Sequence, residues 1–176
     1  MRNCNKKNQR GITLLELMVT VAVISIGVVG IFHLIQNTIL SASSVRLRIT
    51  ATYLAQEGVE LVKNVRSTNW IKEKDSWLSG MLFCSGTHGC EMAYNDSNDG
   101  SLREVLSEED LNYLKINNYG FYGYETGIET LFKRQIYVEQ ENIDGVDVAK
   151  VTAKVSWQER GNDHQVEVVS VLRNWR

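Results

Sequence analysis

"RGITLLELMVTVAVISIGVVGIFHLIQ", residues 10–36, is the stretch on which the fold turns. From Ile12 to Ile35 only Glu16 and His33 can ionise. At about 1.5 Å per residue, a helix of this length crosses a bilayer core about 30 Å thick. Arg2, Lys6, Lys7 and Arg10 precede it with no acid among residues 1–11, and the next bases, Arg46 and Arg48, come well after it. That asymmetry keeps the N-terminus in the cytoplasm. Glu16 is the anomaly, because a charge at the centre of a spanning helix costs roughly 2.5–3.5 kcal/mol on insertion scales.

Two ordinary readings leave Glu16 unexplained. A secretory signal peptide has an apolar core of about 7–15 residues and a small-x-small cleavage site. Here the run is longer, and "LSASS" at 40–44 is a passable site at best. A plain signal anchor, presenting an extracytoplasmic binding module, accounts for the length and the basic flank but is indifferent to an acid at position 16.

A third reading explains it. "KKNQRGITLLELMVTVAVISIG" resembles the N-terminus of type IV pilins and type II secretion pseudopilins. In that family a basic leader ends in Gly, a membrane peptidase cuts after it, the new terminal residue is methylated, and a Glu stands fifth in the mature chain. The resemblance implies cleavage between Gly11 and Ile12, N-methylation of Ile12, and an assembly role for Glu16. It also implies three kinds of partner: the prepilin peptidase/methyltransferase, other pilin or pseudopilin subunits, and the inner-membrane assembly platform. Ile12 stands where the family most often has Phe. The proline common about two-thirds of the way along the span is missing; the neighbourhood reads "GIFHLIQ", loosened only by Gly27 and Gly30. The implied chemistry is an ion pair. One subunit's Glu16 carboxylate meets the next subunit's Ile12 ammonium, a pair worth several kcal/mol in a poorly solvated site against about 1 kcal/mol in water.

The helical signal continues past the span. Leu40, Leu47, Ala51, Leu54, Ala55, Gly58, Leu61, Val62 and Val65 form a stripe of helical period. We expect one helix from Ile12 to about Arg66, roughly 80 Å at 1.5 Å per residue. Small hydroxyl residues at 41–44 mark the place for a bend, and "RSTN" at 66–69 marks its end. "LAQEGVELVKNVR" within it is similar to minor pilins and minor pseudopilins, which implies a minor subunit. Glu57 and Glu60, three apart, are helix neighbours on a solvated or inter-subunit face.

Residues 67–131 read as a loop-rich connection, with a helix start at "SEEDLNYLKI" (107–116) and a packed loop or weak strand at "NNYGFYGYETG" (117–127). From 132 the period becomes two. Phe132, Ile136 and Val138 share a face; Ala149, Val151, Ala153, Val155 and Trp157 alternate with polar residues; Val166, Val168 and Leu172 share another face. Two turn segments, "NIDGVD" and "ERGND", join three antiparallel strands whose cover is the amphipathic half of the helix. The fold class is therefore α+β. It is organised as leader 1–11, membrane and polymerisation helix 12–36, amphipathic half 37–66, connection 67–131, and a β-meander of at least three strands over 132–176.

Composition narrows the function. With 19 basic and 21 acidic residues in all, the four leader bases leave 15 against 21 for the rest, about −6. A mildly acidic body opposes nucleic-acid binding, which needs clustered Lys and Arg. The leader would carry Cys4 away, leaving Cys84 and Cys90 in "CSGTHGC" on the extracytoplasmic side, where disulfides persist. A bridge across so short a loop contributes about 2 kcal/mol. Zinc on Cys84, His88 and Cys90 lacks the fourth ligand a closed site takes. "NDSNDGSLREVL" fits the start of a calcium loop but has Leu106 where the bidentate Glu belongs. Because some pseudopilins bind calcium in head loops, the resemblance keeps Asp96 and Asp99 as calcium candidates; otherwise no cofactor is expected. His88 and His164 lack nucleophile or acid partners at a recognisable spacing, so no enzyme is read here. Expected instead is a single-pass protein of the cytoplasmic (inner) membrane with an extracytoplasmic head, later part of a filament.

Overall fold

The computed structural model describes residues 13–93, 103–143 and 145–174. Contacts divide the chain into two units, Met1–Ser44 and Val45–Arg176. One helix, α1 (Leu14–Ile71), contributes to both. Among the described residues seven strands follow: β1 (Cys90–Glu91), β2 (Arg103–Glu104), β3 (Tyr113–Ile116), β4 (Tyr122–Gly123), β5 (Ile128–Ile143), β6 (Val146–Glu159) and β7 (Asn162–Arg173). They form one antiparallel sheet, so the class is α+β, as the two periods in the sequence require.

In the first unit the helix starts with Thr13 as its cap. The Thr13 hydroxyl accepts the Glu16 backbone N–H at 3.4 Å, and the Thr13 carbonyl accepts the Leu17 N–H at 3.1 Å. Thr-x-x-Glu is the sequence of a capping box, with Glu16 in the first turn, where a carboxylate meets the positive end of the helix dipole. Residues 41–44, where a bend was expected, are helical.

In the second unit the expected stripe is the buried one. Ala51, Leu54, Ala55, Gly58, Leu61 and Val62 are buried, and Leu47 and Val65 pack at the margin. Leu40, in the first unit, is exposed. The stripe lies against Phe132, Ile136 and Val138 of β5, the alternating Ala149 to Trp157 of β6, and Leu172 of β7. Gly58 permits the close approach: a Cβ there would sit 3.2 Å from both the Ala153 Cβ and the Arg134 Cδ.

The helix ends five residues later than Arg66. "RSTN" does not stop it, because those side chains bond elsewhere. Ser67 Oγ donates to the Lys63 carbonyl at 2.9 Å, and Asn69 Nδ2 donates to the carbonyls of Trp77 (3.2 Å) and Ser79 (2.8 Å). The stop is a Schellman motif at Glu73, with φ of 50°. Lys74 N–H donates to the Asn69 carbonyl and Glu73 N–H to the Trp70 carbonyl.

The three-strand meander is present as β5, β6 and β7. β5 and β6 pair without interruption from Phe132↔Trp157 to Ile143↔Val146, and β6 and β7 from Val148↔Arg173 to Glu159↔Asn162. Arg160 and Gly161, both at positive φ (52° and 79°), make the two-residue turn before β7, the conformation that matches strand twist. β5 starts at Ile128, four residues before the expected boundary, because Ile128 and Glu129 pair with Ile116 and Lys115 of β3. The connection is more ordered than its composition indicates: β1 and β3 join the other edge of β5. "SEEDLNYLKI" is not a helix. Only Glu108–Asp110 form a 3-10 turn, held by Ser107 Oγ donating to Asp110 Oδ2 at 2.8 Å; Tyr113–Ile116 then pair with β5 and bury Leu114.

Candidate functional site

The candidate site is the start of α1 and the apolar surface that follows. Large hydrophobic side chains from Leu14 through Leu40 are exposed, and this helix is long and apolar enough to cross a membrane. Its hydroxyl groups are satisfied locally. Thr20 donates to the Leu17 carbonyl (2.8 Å), Ser25 to Val21 (2.7 Å) and Thr38 to Leu34 (2.8 Å). His33 Nδ1 lies 3.2 Å from Asn37 Nδ2, a partner one turn on that the sequence reading missed. A chain entering lipid must satisfy its polar groups internally. Glu16 is the exception: its carboxylate forms no ion pair among the described residues. Gly11 and Ile12 lie outside the described residues, as do Asp96 and Asp99.

In the head, Cys84 and Cys90 are joined by a disulfide, with Cα atoms 4.9 Å apart. The bond consumes both thiols, which removes the zinc alternative with His88. His88 instead offers its backbone carbonyl to Gln135 Nε2 at 3.3 Å, and the His164 ring stacks on Trp157 with centroids 5.4 Å apart. Glu57 and Glu60 are not a pair. Glu60 bonds Lys63 at 2.6 Å on the surface, while Glu57 meets the buried Arg134 at 3.4 Å.

Two buried ionic centres escaped the sequence reading. Arg134 sits on the apolar face of β5 at 0% exposure; its guanidinium donates to the Leu54 carbonyl of α1 (3.0 Å) and the Met92 carbonyl (2.6 Å). It thus ties the helix and the segment after β1 to the sheet. Glu91 in β1 is 1% exposed. Its carboxylate accepts from Arg103 Nη1 (2.9 Å), the Asn112 N–H (2.5 Å) and Asn112 Nδ2 (2.9 Å), stitching β1 to β2 and to the approach to β3.

Burial raises the Glu91 pKa above the ordinary carboxylate value, outweighing the hydrogen bonds from Asn112 and Arg103 that lower it. A raised value means the folded chain holds that proton more tightly than the unfolded chain. The resulting stability is fully present below the ordinary carboxylate pKa and is lost as pH rises through the raised one. Wild-type protein is therefore expected to lose stability across that window relative to Glu91→Gln, read as the denaturant midpoint against pH. Identical slopes for the two proteins would refute this account of Glu91.

Residues 6–32 match the family model for the prokaryotic N-terminal methylation motif, the signature of type IV pilins and pseudopilins. The motif supports a type IV pilin-like precursor with a membrane-anchoring helix, a structural subunit rather than an enzyme. It implies processing by a prepilin peptidase and association with other pilin subunits. Comparison with curated proteins found no match, and comparison with solved structures found none.

Proposed function

We propose that the protein is the precursor of a minor pilin or minor pseudopilin. Residues 1–11 are removed by cleavage after Gly11, and Ile12 is N-methylated. Residues 12–36 then hold the subunit in the cytoplasmic (inner) membrane, N-terminus inward and head outward. From there the assembly platform draws it into a type IV pilus or a secretion or DNA-uptake pseudopilus, with Glu16 bound to the terminal ammonium of a neighbour. Residues 37–66 carry the head, and the disulfide between Cys84 and Cys90 braces it on the oxidising side. The observation carrying the reading is Ile12-Thr13-Leu14-Leu15-Glu16 directly behind a basic leader that ends in Gly11, leading into a membrane-length helix whose apolar surface is uncovered. Neither cofactor nor direct nucleic-acid contact is assigned; for Asp96 and Asp99 the test is calorimetry with calcium, where no heat at millimolar metal ends the calcium reading.

The rival reading is a bitopic anchor presenting a binding module that never polymerises. Intact mass and N-terminal sequencing of protein from membranes separate the two. N-methyl-Ile12 at the terminus is the expected result. A terminus at Met1 supports the anchor, and one in the forties supports a cleaved signal peptide; either overturns the proposal.

A further inference from the structure

The sheet turns one face to α1, and its other face carries a walled hollow. Lys133 and Gln135 of β5, and Lys154 and Ser156 of β6, alternate with the inward residues and so stand on that other face. The register sets Gln135 beside Lys154, and Lys133 beside Ser156 and then Gln165 of β7. The chain at His88 and Leu111 forms the wall. Gln135 is only 7% exposed despite its outward position, and its Nε2 donates to the His88 carbonyl at 3.3 Å. Two adjoining hollows, of about 310 and 280 Å³, open over the strands; Leu111 lines the first, Tyr113 and Leu131 the second, and Lys133, Ser156 and Asp163 line both. Much of the polar lining is unspent. The side chains of Lys154, Ser156 and Gln165 bond to no described residue, and Gln135 Oε1 accepts no hydrogen bond among them. Lys133 has no carboxylate partner there either; its ammonium sits 4.5 Å from the centre of the Tyr113 ring.

We infer that this hollow binds a sugar acid, one hexuronate ring of an acidic saccharide. Its carboxylate is taken by the ammonium groups of Lys154 and Lys133, and its hydroxyls by Gln135 Oε1, Ser156, Gln165 and Asp163. The charges set the choice. Two ammonium groups against the Asp163 carboxylate leave one positive charge in the lining, the complement of a monoanion; Glu167, opposite Lys154 in the register, lies outside the lining. Inorganic phosphate fits less well, because it brings more charge and fewer O–H donors for Gln135 Oε1 and Asp163. A neutral sugar leaves Lys154 without a counter-ion. Small-molecule sites run from about 300 to 1,000 Å³, so the larger hollow is the size for one ring. The inference uses the second unit alone and is independent of cleavage after Gly11.

The test uses the full chain in a neutral detergent without a sugar headgroup, with saturation-transfer NMR on glucuronate, glucose and inorganic phosphate as probes. Glucuronate is expected to bind saturably in the millimolar range and glucose at least about tenfold more weakly, the size of one hydrogen bond between charged groups. Lys154→Gln is expected to weaken glucuronate by a similar factor and to leave the weak glucose signal unchanged. Lys150→Gln, on the same face but outside the hollow and bonded to Glu139 at 3.4 Å, serves as the control and binds as wild type does. Gln165→Ala, an exposed change that leaves the charges alone, weakens both sugars together. The inference is overturned if glucuronate gives no saturable transfer, if glucose binds as well, or if Lys154→Gln matches the control. Displacement of glucuronate by an equal concentration of phosphate also overturns it, since the hollow is then a site for any anion.

Discussion

Glu16→Gln is expected to leave processing after Gly11 intact and to abolish incorporation into filaments. The choice of substituent matters. The acid stands third after the Thr13 cap, where glutamine is accepted as well as glutamate, so the variant keeps the helix start and removes only the charge. If Glu16 meets a neighbour's ammonium at about 4 Å with an effective dielectric of about 20, the pair is worth roughly 4 kcal/mol. Losing it weakens each subunit contact by almost a thousandfold. The assay is the ratio of subunit in sheared filaments to subunit in membranes. Normal assembly of Glu16→Gln would show that the acid serves only the helix terminus, as cap and dipole partner, and the inter-subunit account would fail.

Arg134→Ala is expected to lower the stability of the head by about 3–5 kcal/mol, the range for breaking a buried charged contact by removing one member. The loss has two identifiable parts. The Met92 carbonyl, bonded at 2.6 Å, is left without that donor, costing about 1–3 kcal/mol if it stays buried. The rest is the void left between α1 and β5, a region tight enough that a Cβ on Gly58 would already press on the Arg134 side chain. Glu57, about a third exposed, is solvated once alone and adds little. Arg134→Met, which refills much of the volume, should lose distinctly less than Arg134→Ala. The readout is tryptophan emission during denaturant unfolding: all four tryptophans follow residue 69, so it reports the head and not the span. An unchanged midpoint for Arg134→Ala would mean that the buried guanidinium ties nothing together.

How far the sequence could be read follows from the range of the forces involved. The span, the helical stripe and the meander rest on periodicity, a local property, and Ala51 to Val62 and Ala149 to Trp157 are buried as their spacing requires. The helix terminus was misplaced because its C′ residue is Glu73 rather than glycine, and a left-handed glutamate leaves no compositional mark. "SEEDL" has the cap and acids of a helix, but long-range pairing with β5 claimed Tyr113–Ile116 first. Arg134 and Glu91 differ in this respect. Alternation sets position 134 on the face of Phe132, Ile136 and Val138, so its inward place is legible, but how the charge is held there is not, because its partners Leu54 and Met92 are far away in sequence. Glu91 lies in a two-residue strand with no period to read, and only Arg103 and Asn112 reveal its burial. At the membrane site, the motif around Glu16 was legible because its chemistry is confined to a few consecutive residues.

The two-sided use of β5 sets the order in which the head can be built during synthesis. The stripe from Ala51 to Val62 leaves the ribosome some 70 residues or more before the strands that cover it, counting to Phe132. Closing two-residue hairpins takes about microseconds, whereas translation proceeds at about 5–20 residues per second. For several seconds, then, the nascent chain displays a greasy helix face with no sheet to receive it. The closeness permitted by Gly58 is rewarded only once Ala153 arrives, so a chain that stops ahead of β6 leaves the helix uncovered.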